Sequence, residues 1–201
     1  MTPARAVFLD RDGVLNAATV RDGRPYPPDS VRELKITPEA PECLLRLREA
    51  GFLLIVVTNQ PDLARGKQTP EAVEEIHSAL RAAMPLDAFY VCAHSDEDEC
   101  DCRKPKPGML LAAARDFRID LSQSFMVGDR WRDVEAGARA GCRTVFLDFR
   151  YRERGPETPP HVIVGALAEG VDWILQRFAG DQIPSRSARE RSSMPATDPI
   201  S

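Results

Sequence analysis

The stretch from Ala6 to Asn16 constrains the fold of this chain more than any other. Its four apolar residues, 6–9, have the length and bounds of a buried strand. Two carboxylates follow at once, and Asp10 and Asp12 can face one point because alternate residues of an extended chain point the same way. Such a pair needs a cation or a shared proton, and Gly13 allows the sharp turn that leaves both at the strand's carboxyl end. In an open α/β sheet, ligands bind at that end.

Apolar strand patterns alternate with helical patterns along the rest of the chain. The predicted strands are 6–9, 52–57, 86–91, 124–127, 143–147 and 161–164. The predicted helices are 37–50 (capped by Thr37 with Pro38 behind it), 69–83 (capped by Thr69), 108–117, 133–140 and 166–178. Residues 17–37 are rich in Gly and Pro and are expected to form an irregular substrate loop. This order predicts an α/β fold, a three-layer, doubly wound, Rossmann-like parallel sheet.

One domain, 1–179, is expected to hold the whole sheet. From residue 180 onward the composition turns to Ser, Arg, Pro and Asp, which predicts a disordered tail over 180–201. The net charge of −4 argues against nucleic-acid and membrane-surface partners, and no apolar run approaches the ~20 residues of a membrane span. Residues 1–5 lead straight into the first strand without a secretory signal, so we expect a cytoplasmic protein. We also expect a monomer.

Polar side chains follow three of the predicted strands: Asp10 and Asp12, then Thr58 and Asn59, then Asp129. Parallel strands bring these ends to one edge of the sheet. Three carboxylates beside a hydroxyl suit Mg²⁺ together with a phosphate group.

The same residue types can carry phosphoryl transfer. Thr58 can donate a hydrogen bond to a phosphate oxygen, and Lys104 can neutralise the charge that spreads over the phosphoryl oxygens. One carboxylate can be the nucleophile that forms an aspartyl-phosphate, and the other can serve as general acid and then base. Taken singly, these side chains could equally be strand-end caps or solvated charges.

A second cluster has the spacing of a metal site. Its four possible ligands are Cys92, His94, Cys100 and Cys102. Two Cys-x-Cys/His pairs provide the four ligands of a closed tetrahedral Zn²⁺ site, which is structural because no position is open to water. Such a site would fix Arg103 and Lys104, which follow the last ligand directly. Free thiols in a loop, or a redox pair, are the alternatives.

Four segments resemble the motifs of the haloacid dehalogenase superfamily of phosphatases. They are Asp10–Asn16 (DRDGVLN), Thr58–Gln60 (TNQ), Arg103–Pro105 (RKP) and Val127–Asp133 (VGDRWRD). The segment Cys92–Pro105 (CAHSDEDECDCRKP) resembles the zinc-containing, capless branch, subfamily IIIA. The resemblance covers residues 5–178.

The resemblance implies a Mg²⁺-dependent phosphomonoester hydrolase that works through an aspartyl-phosphate. Asp10 would be the nucleophile and Asp12 the general acid and base, with Thr58 and Lys104 steadying the phosphoryl group. Mg²⁺ would be held by Asp10, the Asp12 backbone carbonyl and Asp129. The candidate substrate-binding residues are Asn59, Arg65, Arg103 and Arg130.

The substrate is expected to be a small phosphorylated sugar or amino alcohol. The segment Ala64–Lys67 (ARGK) resembles the members that act on heptose bisphosphates, whereas the short zinc loop resembles those that act on histidinol phosphate. The family's Ser-Gly after TNQ is replaced here by Pro61-Asp62. Heptose bisphosphate is the expected substrate and histidinol phosphate the alternative.

Two other classes of protein share parts of this pattern. A receiver-type phospho-acceptor module also uses an Asp, a Thr and a Lys at strand ends, but it lacks a second carboxylate such as Asp12 to drive hydrolysis. A zinc-ribbon module for nucleic acid needs a basic face near the cysteines, whereas residues 95–101 are acidic.

Overall fold

A computed structural model describes residues 3–181 of the chain. Its strands are β1 (Ala6–Leu9), β2 (Thr19–Arg21), β3 (Arg24–Tyr26), β4 (Leu53–Asn59), β5 (Ala88–Cys92), β6 (Phe125–Gly128), β7 (Arg143–Leu147) and β8 (Val162–Val164). Its α-helices are α1 (Ala40–Glu49), α2 (Pro61–Ala64), α3 (Pro70–Ala83), α4 (Gly108–Phe117), α5 (Trp131–Ala140) and α6 (Leu167–Asp181), and a 3-10 helix spans Leu121–Gln123.

Six strands form one parallel sheet in the order β5-β4-β1-β6-β7-β8. Alternate residues of the buried strands face opposite sides. Leu9 and Val127 pack with α1, α3 and α6 on one side, and Phe8 and Met126 pack with α4 and α5 on the other. This arrangement confirms the predicted three-layer α/β fold.

The chain reverses its direction across the sheet beside β1. It proceeds from β1 to β4 and β5, and then returns to β6 on the other side of β1. Leu9 is in register with Val56 and with Val127, so Asp10, Thr58 and Asp129 all lie just beyond these positions at the carboxyl edge. This is the switch point at which open α/β sheets bind ligands.

The prediction of an irregular loop over 17–37 is wrong for part of that segment. β2 and β3 pair as an antiparallel hairpin, closed by Asp22 and Gly23, which both have positive φ angles (51° and 75°). An Asp-Gly pair favours this tight turn. The Arg152 backbone N–H donates to the Gly23 carbonyl at 2.7 Å, so contacts remote in sequence also hold the hairpin.

The start of α1 differs from its prediction. The helix begins at Ala40 after Glu39 rather than after Thr37, because Pro41, not Pro38, occupies its first turn. Thr69 does cap α3, accepting a hydrogen bond from Ala72 at 3.2 Å.

Other boundaries also differ. Residues 61–64, expected to be loop, form one helical turn, and α5 begins at Trp131, two residues before its predicted start. Helix α6 continues to Asp181, so the expected tail cannot begin at 180, and the rest of that predicted tail lies outside the described residues. Among residues 3–181, no helix is long and apolar enough to cross a membrane.

Candidate active site

Lys104 lies at the centre of the site and is almost completely buried. Its Nζ is 2.8 Å from Asp10 Oδ1 and 2.6 Å from Asp133 Oδ1, and it donates to the Val57 carbonyl at 2.7 Å. Burial alone would lower the pKa of Lys104, but the two carboxylates raise it to about 12. Lys104 is therefore a fixed cation.

Asp10 lies at the end of β1, and its side chain is nine-tenths buried. Its Oδ1 accepts a hydrogen bond from the Arg11 backbone N–H at 2.8 Å. Burial raises the pKa of Asp10 to about 6, against the opposing charge of Lys104 and with the help of Asp133 and Asp12. A raised pKa reflects a carboxylate poorly compensated by its surroundings, which favours both cation binding and nucleophilic character.

Asp10, Asp129 and Asp133 form a buried cluster with one carboxylate oxygen from each within 4.8 Å of the others. Neither oxygen of Asp129 accepts a hydrogen bond of ordinary geometry from the described residues, although the Tyr151 hydroxyl faces it. Burial, with the charges of Asp10 and Asp133, raises the pKa of Asp129 well above its ordinary value. Carboxylate oxygens are ligands that Mg²⁺ takes, and three buried carboxylates this close together carry more negative charge than the Lys104 ammonium neutralises, so these residues fit a divalent cation.

Two glycines leave room for this cluster. A Cβ at Gly13 would lie 1.8 Å from Asp129 Oδ2, and a Cβ at Gly128 would lie 2.2 Å from the Cβ of Asp133. Asp133 is also fixed by the Arg130 backbone N–H, which donates to Oδ2 at 3.0 Å. No side chain larger than hydrogen fits at either glycine position.

Asp12 has a different environment from Asp10. Its carboxylate accepts hydrogen bonds from Arg11 Nη2 at 2.9 Å, from Asn16 Nδ2 at 3.0 Å and from Gln60 Nε2 at 2.9 Å. Burial would raise the pKa of Asp12, but the Arg11 charge and these hydrogen bonds outweigh burial and lower it. β1 ends at Leu9, so Asp10 and Asp12 both lie beyond the strand. The two carboxylates border the same cavity but make separate contacts.

The residues after β4 support the site in two ways. The Thr58 hydroxyl accepts from Gln60 Nε2 at 2.8 Å and borders the cavity. Asn59, a predicted substrate-binding residue, makes two hydrogen bonds with the backbone of Lys104. Its Nδ2 donates to the Lys104 carbonyl at 3.0 Å, and its Oδ1 accepts from the Lys104 N–H at 3.1 Å. Asn59 therefore fixes the lysine segment directly.

The four predicted zinc ligands come together in the structure. The ligand atoms of Cys92, His94, Cys100 and Cys102 all lie within 4.8 Å of one another. The Sγ atom of Cys100 is 3.6 Å from that of Cys92 and 3.3 Å from that of Cys102. A tetrahedral zinc with Zn–S bonds of about 2.3 Å would separate its sulfur ligands by about 3.8 Å, so the cluster fits Zn²⁺.

Arg103 extends from the cysteine cluster towards the cavity. Its Nε donates to Asp96 at 2.7 Å, and its Nη1 donates to the His94 carbonyl at 3.2 Å. Arg132 donates to the same Asp96 oxygen at 3.0 Å. These hydrogen bonds, that of Arg103 first, lower the pKa of Asp96 to about 2.

A cavity of about 620 Å³ lies at this edge of the sheet. Asp129 is not among its lining residues and borders a smaller neighbouring pocket with Tyr151 and Glu153. Asp10, Asp12 and Lys104 line the larger cavity, and the β2–β3 hairpin contributes Tyr26 to its wall. Seven cationic side chains line this cavity: Arg21, Arg65, Lys67, Arg103, Lys104, Arg130 and Arg132. Such a surface suits a substrate with more than one phosphate group.

Sequence reasoning identified the reactive groups of this cavity but assigned no role to several of its other lining residues. Arg21 was missed, whereas Lys67, Arg132 and Asp133 were found only as members of motifs, without an individual role. The position of Arg21 depends on the hairpin, for which Asp22-Gly23 was the available signal. Arg130, which was predicted to bind substrate, is held by Glu153 through two hydrogen bonds.

Comparisons with known proteins agree with this geometry. A family model described as haloacid dehalogenase-like hydrolase matches residues 26–141. A protein of Escherichia coli K12 named D-glycero-beta-D-manno-heptose-1,7-bisphosphate 7-phosphatase is 35% identical over 186 residues, covering 87% of this chain and 90% of its own. A protein of the same name from Helicobacter pylori is 32% identical over 182 residues, covering 87% and 99%.

A solved structure is also similar. The D,D-heptose 1,7-bisphosphate phosphatase of B. bronchiseptica, complexed with magnesium and phosphate, superposes with a TM-score of 0.72 at 31% identity. The match covers 86% of this chain and 99% of that one. The chain belongs to the haloacid dehalogenase-like hydrolases.

Proposed function

We propose that this chain is a Mg²⁺-dependent phosphatase that removes the 7-phosphate of D-glycero-D-manno-heptose 1,7-bisphosphate. One observation carries the proposal: a single cavity is lined by the buried Asp10–Lys104 pair and also by three cations from two separate segments, Arg21 from the hairpin and Arg65 and Lys67 from the loop after α2. The first pair suits the phosphate that reacts, and the second group suits a phosphate that is only bound.

Asp10 is the nucleophile in this proposal. An oxygen of its carboxylate bonds to phosphorus while the bond between phosphorus and the sugar oxygen breaks. Asp12 gives its proton to the departing sugar oxygen. The negative charge of the bound phosphate opposes the Arg11 charge and so raises the pKa of Asp12, which allows it to carry this proton when substrate is present.

The second step regenerates the enzyme. Asp12, now ionised, takes a proton from a water molecule, whose oxygen attacks the phosphorus of the aspartyl-phosphate. The bond between Asp10 and phosphorus breaks, and inorganic phosphate leaves. Lys104 and the Thr58 hydroxyl hold the phosphoryl oxygens through both steps.

Mg²⁺ would be held by Asp10, the Asp12 backbone carbonyl and Asp129, with Asp133 beside it. When bound, it would neutralise negative charge on the phosphoryl oxygens. The unpartnered oxygens of Asp129 support this assignment. Zn²⁺ would be held by the four-residue cysteine–histidine cluster in a structural role.

The heptose bisphosphate is favoured over histidinol phosphate. Relatives at 32–35% identity over most of the chain carry the heptose name, and a cavity rim rich in arginine and lysine suits a second phosphate better than an amino group. The names of those two relatives specify the β anomer, which we expect to be the preferred substrate.

The test is phosphate release in the presence of Mg²⁺ from a panel of substrates. The panel holds both anomers of heptose 1,7-bisphosphate, the heptose 7-monophosphate, histidinol phosphate and fructose 1,6-bisphosphate. We expect kcat/KM for the β bisphosphate to exceed that for every other substrate of the panel by at least about tenfold. A factor of about ten corresponds to the loss of one charge-assisted hydrogen bond. A preference for histidinol phosphate would overturn the proposed substrate.

A further inference from the structure

His77 lies on α3 and is almost completely buried, yet it is not part of the cavity wall. Its Nε2 lies 3.3 Å from Nη1 of Arg11. Its ring packs against Phe89 with the ring centres 4.4 Å apart, which fixes the plane of the imidazole. The mechanism above gives His77 no role, although its contact with Arg11 points towards the site.

The contact with Arg11 determines how His77 is protonated. A guanidinium has only donors and stays charged, so Nε2 must accept the hydrogen bond and the proton of the neutral ring must be on Nδ1. That nitrogen lies 3.8 Å from Glu74 Oε2, on the exposed side. Burial and the Arg11 charge lower the pKa of His77 to about 4, in agreement with a neutral ring.

Arg11 connects His77 to Asp12. Its side chain is fully buried, and it reaches Asp12 through Nε, 3.1 Å from Oδ1, and through Nη2, 2.9 Å from Oδ2. The guanidinium is planar, so a partner that fixes Nη1 also fixes the direction of Nε and Nη2. Without an acceptor at position 77, a buried N–H would lose its partner, at a cost that favours a different side-chain orientation.

We propose that His77 is a positioning residue that, through Arg11, holds the carboxyl group of Asp12 in line with the leaving oxygen of the substrate. The inference rests on the proposed role of Asp12 as general acid. Because His77 lies on α3, this helix would contribute to catalysis without touching the substrate.

The leaving group of the substrate provides a specific readout. A sugar alkoxide needs a proton as it leaves, whereas p-nitrophenolate is a stable anion that leaves without one. Both reactions use the same nucleophile, lysine and metal. Misplacement of Asp12 therefore lowers kcat/KM for a sugar phosphate and leaves that for p-nitrophenyl phosphate nearly unchanged, since kcat/KM reports the steps up to departure of the leaving group.

The experiment compares His77→Leu, which removes the acceptor, with His77→Gln, whose amide oxygen can replace Nε2. For His77→Leu we expect the ratio of kcat/KM for the sugar phosphate to that for p-nitrophenyl phosphate to fall about tenfold, an effect typical of a small misplacement of a reacting group. His77→Gln should restore most of the ratio. The control is Ile76→Ala, which removes a buried apolar side chain from the same helix and leaves a cavity. It should lower Tm without changing the ratio.

A double-mutant cycle tests the connection through Arg11. In an Arg11→Met background, His77→Leu should cause no further change in the ratio, because the intermediate group is already gone. Equal loss of activity on both substrates in His77→Leu, or independent effects of the two substitutions, would overturn the proposal.

The outcome for the proposed function is separate. Wild-type enzyme that hydrolyses fructose 1,6-bisphosphate but not the heptose bisphosphate would contradict only the proposed substrate, because any sugar phosphate serves in this comparison. Absence of phosphate release from every substrate would contradict both proposals.

Discussion

Asp10 and Asp12 are separated by one residue, and their carboxyl groups have opposite pKa shifts. Burial raises the pKa of Asp10 to about 6, whereas Arg11 and two amides lower that of Asp12. Two carboxylates whose environments push their pKa values apart can take different roles in one reaction. In the proposed reaction, Mg²⁺ would lower the pKa of Asp10 and keep it an ionised nucleophile, and the bound phosphate would raise the pKa of Asp12 so that it can carry the proton.

Asp10→Asn should abolish turnover while the chain remains folded. The amide is nearly the same size and still accepts the Arg11 backbone hydrogen bond, but it is not a nucleophile. We expect phosphate release to fall by about 10³-fold or more, with an unchanged circular dichroism spectrum. Asp172→Asn, the same change at an exposed position, is the control. Appreciable residual turnover would remove Asp10 as the nucleophile.

His77 should make the protein less stable in mild acid. Its pKa is about 4 in the folded chain and about 6.5 in the unfolded chain, so the unfolded state binds a proton first as the pH falls. The free energy of unfolding should therefore decrease between about pH 6.5 and 4, by up to ~3 kcal/mol from this group. Urea unfolding of wild type and His77→Gln across this range should show a smaller decrease for the variant; parallel curves would contradict the assignment.

At the scale of elements, two segments outside the sheet determine the shape of the site. The β2–β3 hairpin supplies Arg21 and Tyr26 to the cavity, and the loop that bears the cysteine cluster delivers Arg103 and Lys104. Neither segment is long enough to bury a core of its own. The hairpin is held by the Arg152–Gly23 hydrogen bond, and the end of the loop by the hydrogen bonds of Asn59 to the Lys104 backbone.

Cys102→Ser should release zinc and reduce activity. Loss of one thiolate opens the closed site, and the segment with Arg103 and Lys104 is then less well fixed. We expect zinc content, measured by elemental analysis, to fall from about one ion per chain towards none, with kcat about tenfold lower. Cys43→Ser, a buried cysteine outside the cluster, should keep its zinc. Full zinc content in the Cys102 variant would exclude the cluster.

Arg21→Ala should weaken binding of the bisphosphate specifically. Arg21 lines the cavity, whereas Arg24, its register partner across the hairpin, does not. Arg21→Ala should raise KM for heptose 1,7-bisphosphate about tenfold, the loss of one exposed charge-assisted contact, and leave that for the 7-monophosphate unchanged. Arg24→Ala removes the same charge and is the matched control. Equal effects of both variants would show that only the overall charge matters.

At the scale of the whole molecule, the position of this phosphatase site follows from the strand order. β1 lies between β4 and β6, so the carboxyl ends of three strands meet where the chain reverses its direction across the sheet. All residues that line the main cavity fall between Asp10 and Asp133. Later elements complete the sheet and the core on which that cavity is built.

Deletion of residues 182–201 should therefore leave activity unchanged. The cavity is lined by residues between Asp10 and Asp133, so we expect kcat/KM within about twofold of the full chain, and Tm within about 2 °C. Steady-state kinetics and thermal unfolding of the two chains provide the measurement. A large loss of activity would show that the last twenty residues belong to the working enzyme.

The sequence by itself was sufficient for the fold class, the order of the six parallel strands and the five long helices, and the residues at the ends of β1, β4 and β6. These follow from apolar periodicity and from polar side chains at strand ends, which are local properties of the chain. The four candidate zinc ligands were equally evident, because they lie within eleven residues.

Only the tertiary structure decided which of these groups interact. Asn59 binds the Lys104 backbone, Gln60 donates to the Asp12 carboxylate, and Arg21 reaches the cavity from a hairpin. Each contact joins elements whose spatial relation depends on packing across the sheet, and side-chain orientation beyond a strand end has no periodic signal. The contact of His77 with Arg11 is of the same kind: it joins residues that are 66 positions apart, and only the folded core brings them together.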